Sequence, residues 1–438
     1  MNHYSSVPVD EASRATLAKG GLELAVVDTS DAEATRRWLL ADARGFHDAP
    51  GDVYLVALAE EVAVDRVMAV WDRTGADPDT PVATVRSWEM GLTVPGGTTF
   101  PAWAISSVTV SPTHRRRGIA RALLTGELRT AAERGHSIAM LTVSEATIYG
   151  RYGFGPAARE ATYAVTTARA RWMGPEPAGR VQFVPTKSLL VDGPPVFERT
   201  RGNSPGEVDR RDNWWKRALG LLSERDAPKH DRRAVRYDDE AGLIQGFAVY
   251  EIQLENGSYP GRLELVDLVA ATDDAYAALW RFLIEMDLVS EVTAPLRAVS
   301  EPVAWQITDS RAVHKTNESD NLWLRILDVP AALSLRTFSA PGEFVLEVTD
   351  DLGFADGDFL LTVAADGSAH AHQLAGPAPL TAARVSLSAA DLAAIYLGGS
   401  NVIDLVRAGC ILEHTPDAAA RLDAAFHSVH TPRMSTSF

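Results

Sequence analysis

The sequence predicts a mixed α/β chain folded in three parts, and three observations predict it. Its 438 residues exceed what one ordinary hydrophobic core holds together. Residues 104–155 read as strand, basic turn, helix, strand and aromatic turn, a self-contained α/β unit. Residues 243–286 repeat a strand, strand and helix outline, and a further set of alternating strands with a helix follows residue 322.

Taken in order, residues 1–20 are polar and read as a loose arm. Residues 22–27 predict a strand, and Thr29-Ser30-Asp31 caps a helix running to about Phe46, with Trp38, Leu39 and Ala43 inward. Strands are predicted near 53–59, 64–71 and 82–88, and Pro95-Gly96-Gly97 turns the chain into the next one. There Ile105, Val108 and Val110 favour β structure, and Pro112 ends the run because it has no backbone donor for a ladder.

From Arg115 the chain reads Arg-Arg-Arg-Gly-Ile-Ala, followed by Leu123, Leu124, Leu128 and Ala131 at helical spacing. Arginines at a helix start oppose the dipole unless an anion compensates them. With Gly118 allowing close backbone approach and free amides at the helix start, the turn suits a pyrophosphate. A strand over 137–143 and the turn Ile148-Tyr149-Gly150-Arg151-Tyr152-Gly153-Phe154 complete the unit.

The spacing Arg-x-x-Gly-x-Ala over 115–120, set behind a strand and ahead of another, resembles the acyl-CoA-binding motif of the GNAT N-acetyltransferases. Ser-Val-Thr-Val-Ser-Pro-Thr-His-Arg-Arg-Arg-Gly over 107–118, Ser144-Glu145, and Ile-Tyr-Gly-Arg-Tyr-Gly-Phe-Gly-Pro-Ala over 148–157 closely resemble the Eis (enhanced intracellular survival) acetyltransferases of actinobacteria. The match is dense over the first third of the chain and looser beyond; the length and the terminal Phe438 fit as well.

The resemblance implies acetyl-CoA as cosubstrate, without a metal. The backbone of Val108, Thr109 and Val110 would pair with the pantetheine, and the Val110 amide would polarise the thioester. Arg116, Arg117, Gly118, Ile119, Ala120 and Arg121 would take the pyrophosphate, and Ser144 and Glu145 match the remaining contacts. Tyr149 matches the family's proton-donating tyrosine; Tyr152 does not, and is expected to pack with Phe154. No histidine stands in an expected place for a base: His114 and His136 read as surface residues. The resemblance instead implies that the α-carboxylate of Phe438 threads back into the site, although the residues alone read as a frayed tail. It further implies a hexamer and amine acceptors of aminoglycoside, polyamine or lysine type, acetylated at more than one position. Asp42, Asp48 and Trp88 are candidates for a cation-attracting acceptor pocket, each as readily an ordinary surface or core residue.

Beyond this unit, residues 161–166 alternate like an edge strand, and the Pro/Gly-rich stretch 172–179 marks a boundary. Asn213-Trp214-Trp215 sits in an arginine-rich helical region and is expected to pack. Strands over 243–253 and 261–269 and a helix from Asp273 to Met286 have the outline of the first unit without its arginine turn; no direct sequence repeat is visible, and the family resemblance implies that the middle part is a degenerate GNAT-like domain without CoA. Strands over 342–348, 358–364 and 382–387 and a helix from Ala389 resemble a sterol-carrier-protein fold, which by itself implies no lipid. The expected division is therefore 1–172, 173–305 and 306–438.

Composition narrows the function classes. With 46% hydrophobic and 23% charged residues the chain is that of a globular protein, without an apolar run near the ~20 residues of a membrane span. The first residues lack signal-peptide character, so a cytoplasmic location is expected. Cys410 is the single cysteine, which excludes an internal disulfide; its apolar neighbours suggest a buried thiol. The formal net charge of -16 disfavours nucleic acid as a partner and suits cationic amines. Two other readings stay open: a catalytically silent scaffold on the same shell, and an N-acetyltransferase devoted to one metabolite.

Overall fold

The computed structural model describes residues 4–224, 232–255 and 257–438. The chain opens with α1 (Glu11–Lys19), β1 (Glu23–Val26), α2 (Ala32–Gly45) and α3 (Asp52–Val62). It continues with β2 (Arg66–Trp71), β3 (Ala83–Thr93), β4 (Thr99–Val110), α4 (Ile119–Glu133), β5 (Ile138–Thr142), α5 (Ala146–Tyr149) and β6 (Gly155–Thr166). The middle part holds β7 (Arg180–Val184), α6 (Leu189–Arg201), α7 (Asp212–Ala218), β8 (Arg233–Asp238), β9 (Ile244–Glu255), β10 (Ser258–Ala270), α8 (Asp273–Ile284), β11 (Val289–Arg297) and β12 (Val313–Ile326). The last part comprises α9 (Val329–Leu335), β13 (Gly342–Thr349), β14 (Gly357–Val363), β15 (Ala369–Gln373), β16 (Ala383–Ser388), α10 (Ala389–Tyr396), α11 (Val402–Arg407), β17 (Leu412–Glu413) and α12 (Ala418–Phe426).

Among the described residues, β1 to β12 form one twelve-stranded sheet in the order β1-β2-β3-β4-β5-β12-β6-β11-β10-β9-β8-β7. The two halves run outward from β12, which pairs antiparallel with β5 (Leu322↔Thr142) and with β6 (Val313↔Val165). The sequence division at residue 306 assigns this strand to the last part; it is hydrogen-bonded into the large sheet instead. For the same reason β6 is no edge strand, being flanked by β12 and β11. The last part has its own five-stranded sheet, β15-β14-β13-β16-β17, whose core continues into that of the first half through Trp88, Ala157, Leu324 and Phe344.

Three other expectations fail for identifiable reasons. Residues 53–59 are helical: Tyr54, Leu55 and Val62 are buried at helical spacing while Val53 and Val56 face outward. The described part of the N-terminal arm is not loose, and residues 1–3 lie outside the described residues. Asp10 caps α1 by accepting from the Ser13 amide, and clamps Arg129 of α4 at 2.8 and 2.6 Å. Cys410 is exposed, because it sits in the turn after α11 rather than on an inward face.

Candidate functional site

The site begins where two parallel strands part. β4 and β5 pair only at Trp103↔Ala139 and Ala104↔Met140. Beyond that point β4 stays with β3 as far as Ala83↔Val110, while β5 stays with β12. The edge of β4 facing β5 is thus left without a strand partner over residues 105–110. A bulge fixes the divergence: Thr84 pairs with Thr109 but Arg86 with Ser106, and Ser107 takes a left-handed φ of 55°. Thr84 Oγ1 locks this kink by donating to the Ser107 carbonyl at 2.8 Å and by bonding Thr109 Oγ1 at 2.6 Å.

After β4 the chain turns through Arg116 and Gly118, both at positive φ (62° and 77°), into α4, whose start has no side-chain cap. The first amides of α4 are therefore open to an anion. The three arginines differ in the fold. Arg117 donates to the Gly20 carbonyl at 2.7 Å and to Asp72 at 3.4 Å. Arg116 and Arg121 are exposed, with no guanidinium partner among the described residues. His114 is half-buried, with Nε2 3.1 Å from the same Asp72, so it is not a plain surface residue. Ile119 anchors the helix in the core and Ala120 is half-buried above it. A strand edge without a partner next to an uncapped helix start with two exposed arginines fits the pantetheine and pyrophosphate of an acyl-CoA.

The fork opens into a cavity of about 420 Å³. Val108 lines it from β4, Ser144 from the end of β5 and Tyr149 from α5; Glu145 is exposed at the cap of α5. Burial pushes the Tyr149 hydroxyl above its ordinary range, with nearby Glu145 adding to the effect. Its ring packs edge-on against Phe154 at 6.2 Å, the contact expected of Tyr152. Tyr152 is buried in the same cluster and does not line the cavity.

The chain's last residues form the far wall. Arg433 N donates to Pro205 O at 2.9 Å, Asn321 holds the Met434 carbonyl, Glu207 accepts from Ser435, and Arg210 donates to Ser435 and Thr436. Phe438 ends the run with its ring edge-on to Trp88 at 5.8 Å and its carbonyl oxygen accepting from Thr142 Oγ1 at 2.9 Å. The tail is pinned rather than frayed.

Asp42, Asp48 and Trp88 all reach this cavity. Sequence reading missed Arg86, Glu61 and Arg211, which also line the cavity and form an ion-pair network among themselves and with buried Asp65, and missed that Trp214 faces the cavity while Trp215 is core. Arg86 and Arg211 stack on Trp88 with Cζ 4.8 and 4.4 Å from its ring. His136 is also displaced from expectation: it is buried, its ring tilted against that of Trp103 and 3.3 Å from Glu89, away from the site. Among the described residues no cluster of three His, Cys, Asp or Glu is placed to hold a metal ion, and no helix is long and apolar enough to cross a membrane.

Comparison with known proteins agrees with this geometry. Residues 27–157 and 206–326 each match a family described as an acetyltransferase (GNAT) domain, and residues 329–435 match a sterol carrier protein domain. The N-acetyltransferase Eis of Mycobacterium tuberculosis (strain ATCC 25177 / H37Ra) is 34% identical over 405 residues, spanning 89% of this chain and 94% of that protein. The chain belongs to the Eis family of GNAT N-acetyltransferases. An uncharacterized N-acetyltransferase of Streptomyces avermitilis is 35% identical to this Eis-family protein over 358 residues, covering 80% of this chain and 84% of its own. The crystal structure of Eis1 from Mycobacterium abscessus superposes with a TM-score of 0.79 at 28% identity, covering 95% of this chain and all of that one. This Eis-family chain is accordingly an acetyltransferase built from two GNAT domains and a sterol-carrier-like domain.

Proposed function

We propose that the enzyme transfers acetyl groups from acetyl-CoA to primary amines of cationic acceptors, of aminoglycoside, polyamine or lysine type, at more than one position on an acceptor. The observation that carries this reading is that Tyr149 and the chain's end at Phe438 line one cavity, at the fork where a thioester would lie. Ordinary alkylammonium groups, with pKa ~10.4, must lose a proton before they react.

In this reading the Phe438 α-carboxylate accepts that proton. The freed amine nitrogen attacks the thioester carbon, and the Val110 amide donates to the oxygen as it becomes anionic. The carbon–sulfur bond then breaks. Tyr149, kept protonated by its burial, gives its proton to the departing thiolate, and the tyrosinate takes one back from the new amide nitrogen. The products are an N-acetyl amine, CoA thiol and one proton, released through the carboxylate. Arg116, Arg117, Gly118, Ile119, Ala120 and Arg121 would hold the pyrophosphate, with Val108, Thr109, Ser144 and Glu145 along the rest of the donor. A cytoplasmic homohexamer is part of the same proposal.

The test is thiol release from acetyl-CoA with aminoglycosides, polyamines and a lysine peptide as acceptors, with acetyl groups counted by mass. Release with several acetyls on one acceptor is expected. Release with none of these acceptors, in an enzyme that binds acetyl-CoA, would overturn the acceptor class.

A further inference from the structure

In the reading proposed above, the cavity carries an acid on each prong of the fork. On the β5 prong stands the end of the chain, tied to Thr142 and lining the same cavity as Tyr149. On the β4 prong stands Asp42 of α2, whose carboxylate accepts from Ser107 Oγ at 3.2 Å. Ser107 is the left-handed residue of the bulge, so Asp42 is held at the point where β4 bends away from β5.

The cations of the cavity have partners of their own. Arg86 lies 3.2 Å from Glu61, Arg211 holds Asp65 with both terminal nitrogens, and Arg217 donates to the Tyr54 hydroxyl and lies 3.5 Å from Glu224. Asp42 has no ion-pair partner within 4 Å among the described residues. Burial pushes its carboxyl up to about 6, against the pull of Arg86 and of the Ser107 and Thr84 hydroxyls, so it remains largely ionised at neutral pH. A half-buried carboxylate facing a cavity, whose nearest cation, Arg86, is already paired with Glu61, is a site for a further cation.

We propose that Asp42 receives a second ammonium of the acceptor, so that a diamine is held by one nitrogen at the β4 prong while another faces Tyr149 on the β5 prong. This rests on the amine acetyltransferase reading above and narrows its substrates to acceptors with at least two separated cations. Asp42 is in this sense a residue that sets specificity, distinct from the groups that move protons. The bond it makes is charge-assisted at both ends, and such bonds are worth about 10- to 100-fold in affinity.

The experiment compares an α,ω-diaminoalkane with the n-alkylamine of equal carbon number, using the full-length enzyme and acetyl-CoA. Asp42→Asn is expected to lower the diamine-to-monoamine ratio of kcat/KM by about 10- to 100-fold, with the loss carried by KM. A ratio that stays put, or two amines that lose equally, overturns the proposal. The wild-type ratio should fall as pH drops through about 6, where Asp42 takes up a proton, and the Asn variant should lack that limb. No histidine lines the cavity among the described residues. The other groups of the cavity that bear on this profile are Glu61, Asp48, Arg86, Arg211, Arg217, Tyr54, Tyr149 and the chain's terminal carboxylate. A wild-type ratio flat from about pH 5 to about pH 8 also overturns the proposal.

Should Asp42→Asn fail to fold, Ser107→Ala removes the tether and leaves the carboxylate. It is expected to lower the ratio by about 2- to 10-fold, the worth of one ordinary hydrogen bond, and an unchanged ratio counts against the proposal. If the wild type acetylates no amine, the functional reading fails instead. Calorimetric binding of the diaminoalkane to wild type against Asp42→Asn then still decides the Asp42 site, with equal affinities overturning it.

Discussion

Tyr149 combines three properties that the fold brings together: a place on the wall of the cavity, a buried ring held by Phe154, and a hydroxyl kept protonated by burial. Replacing it with Phe leaves the packing and removes the proton. Tyr149→Phe should therefore lower kcat by about 10²- to 10⁴-fold with little change in acetyl-CoA affinity, as read by steady-state kinetics and donor titration. Asp10 is a second residue whose role is local and measurable. Burial raises its carboxyl, but the hydrogen bonds from Arg129 and Ser13 outweigh this and hold it at about 2, below its unfolded value. A depressed carboxylate stabilises the fold above the unfolded pKa of about 3.9 and loses that contribution as pH falls toward about 2. Asp10→Ala should cost about 1–2 kcal/mol at neutral pH, and the difference from wild type should shrink in acid melts through that window. The sequence made the motif residues of the fork legible because they lie within one stretch of some fifty positions. It hid the ion pairs beside them: Arg211 and Asp65 are 146 positions apart, and only the folded sheet makes them neighbours.

At the level of elements, the aromatic turn after α5 is where the first half meets the last part. Gly155 opens β6 against α10, and a Cβ there would lie 1.9 Å from the Ala390 carbonyl oxygen. Neither backbone can yield without shifting a strand or a helix. Gly155→Ala is expected to destabilise by about 1–3 kcal/mol or more, visible as a lowered urea midpoint with the slope retained. The tail is the other element with a measurable consequence. Four pinned residues from Arg433 to Thr436 lead Phe438 into the cavity, so added residues beyond it should lower turnover sharply while the melting temperature holds. A fully active C-terminal extension would contradict the role proposed for its carboxylate. Helix–strand patterns explain which elements were legible. Helix α4 announces itself by leucines at helical spacing, whereas α3 carries Val53 and Val56 on its exposed side as well as Leu55 and Val62 on its buried one, so its apolar run mimics a strand. β12 was obscured differently, since its first residues, His314 to Ser319, are polar along a strand whose side chains are largely exposed at that end.

For the molecule as a whole, the twelve-stranded sheet joins two GNAT halves through a strand from the end of the second. Removing it would leave β5 and β6 with open edges in the middle of the sheet. A fragment of residues 1–172 should therefore be insoluble or dye-binding, and its supplementation with a chain carrying 173–438 should recover soluble material; a monomeric, cooperatively melting 1–172 fragment would contradict this. Length and the strand and helix outlines pointed to more than one core and the family resemblance to three parts, but neither carried the interlocking, because pairing at a distance leaves no local periodicity.

The placement of β12 also sets a timetable for synthesis. Between Thr166, where β6 ends, and Val313, where its neighbour begins, lies a stretch that a ribosome working at roughly 5–20 residues per second takes about 7–30 s to make. Through that interval the emerging first half has a gap in its sheet waiting for a strand not yet translated, and it is then that a chaperone has the most to shield.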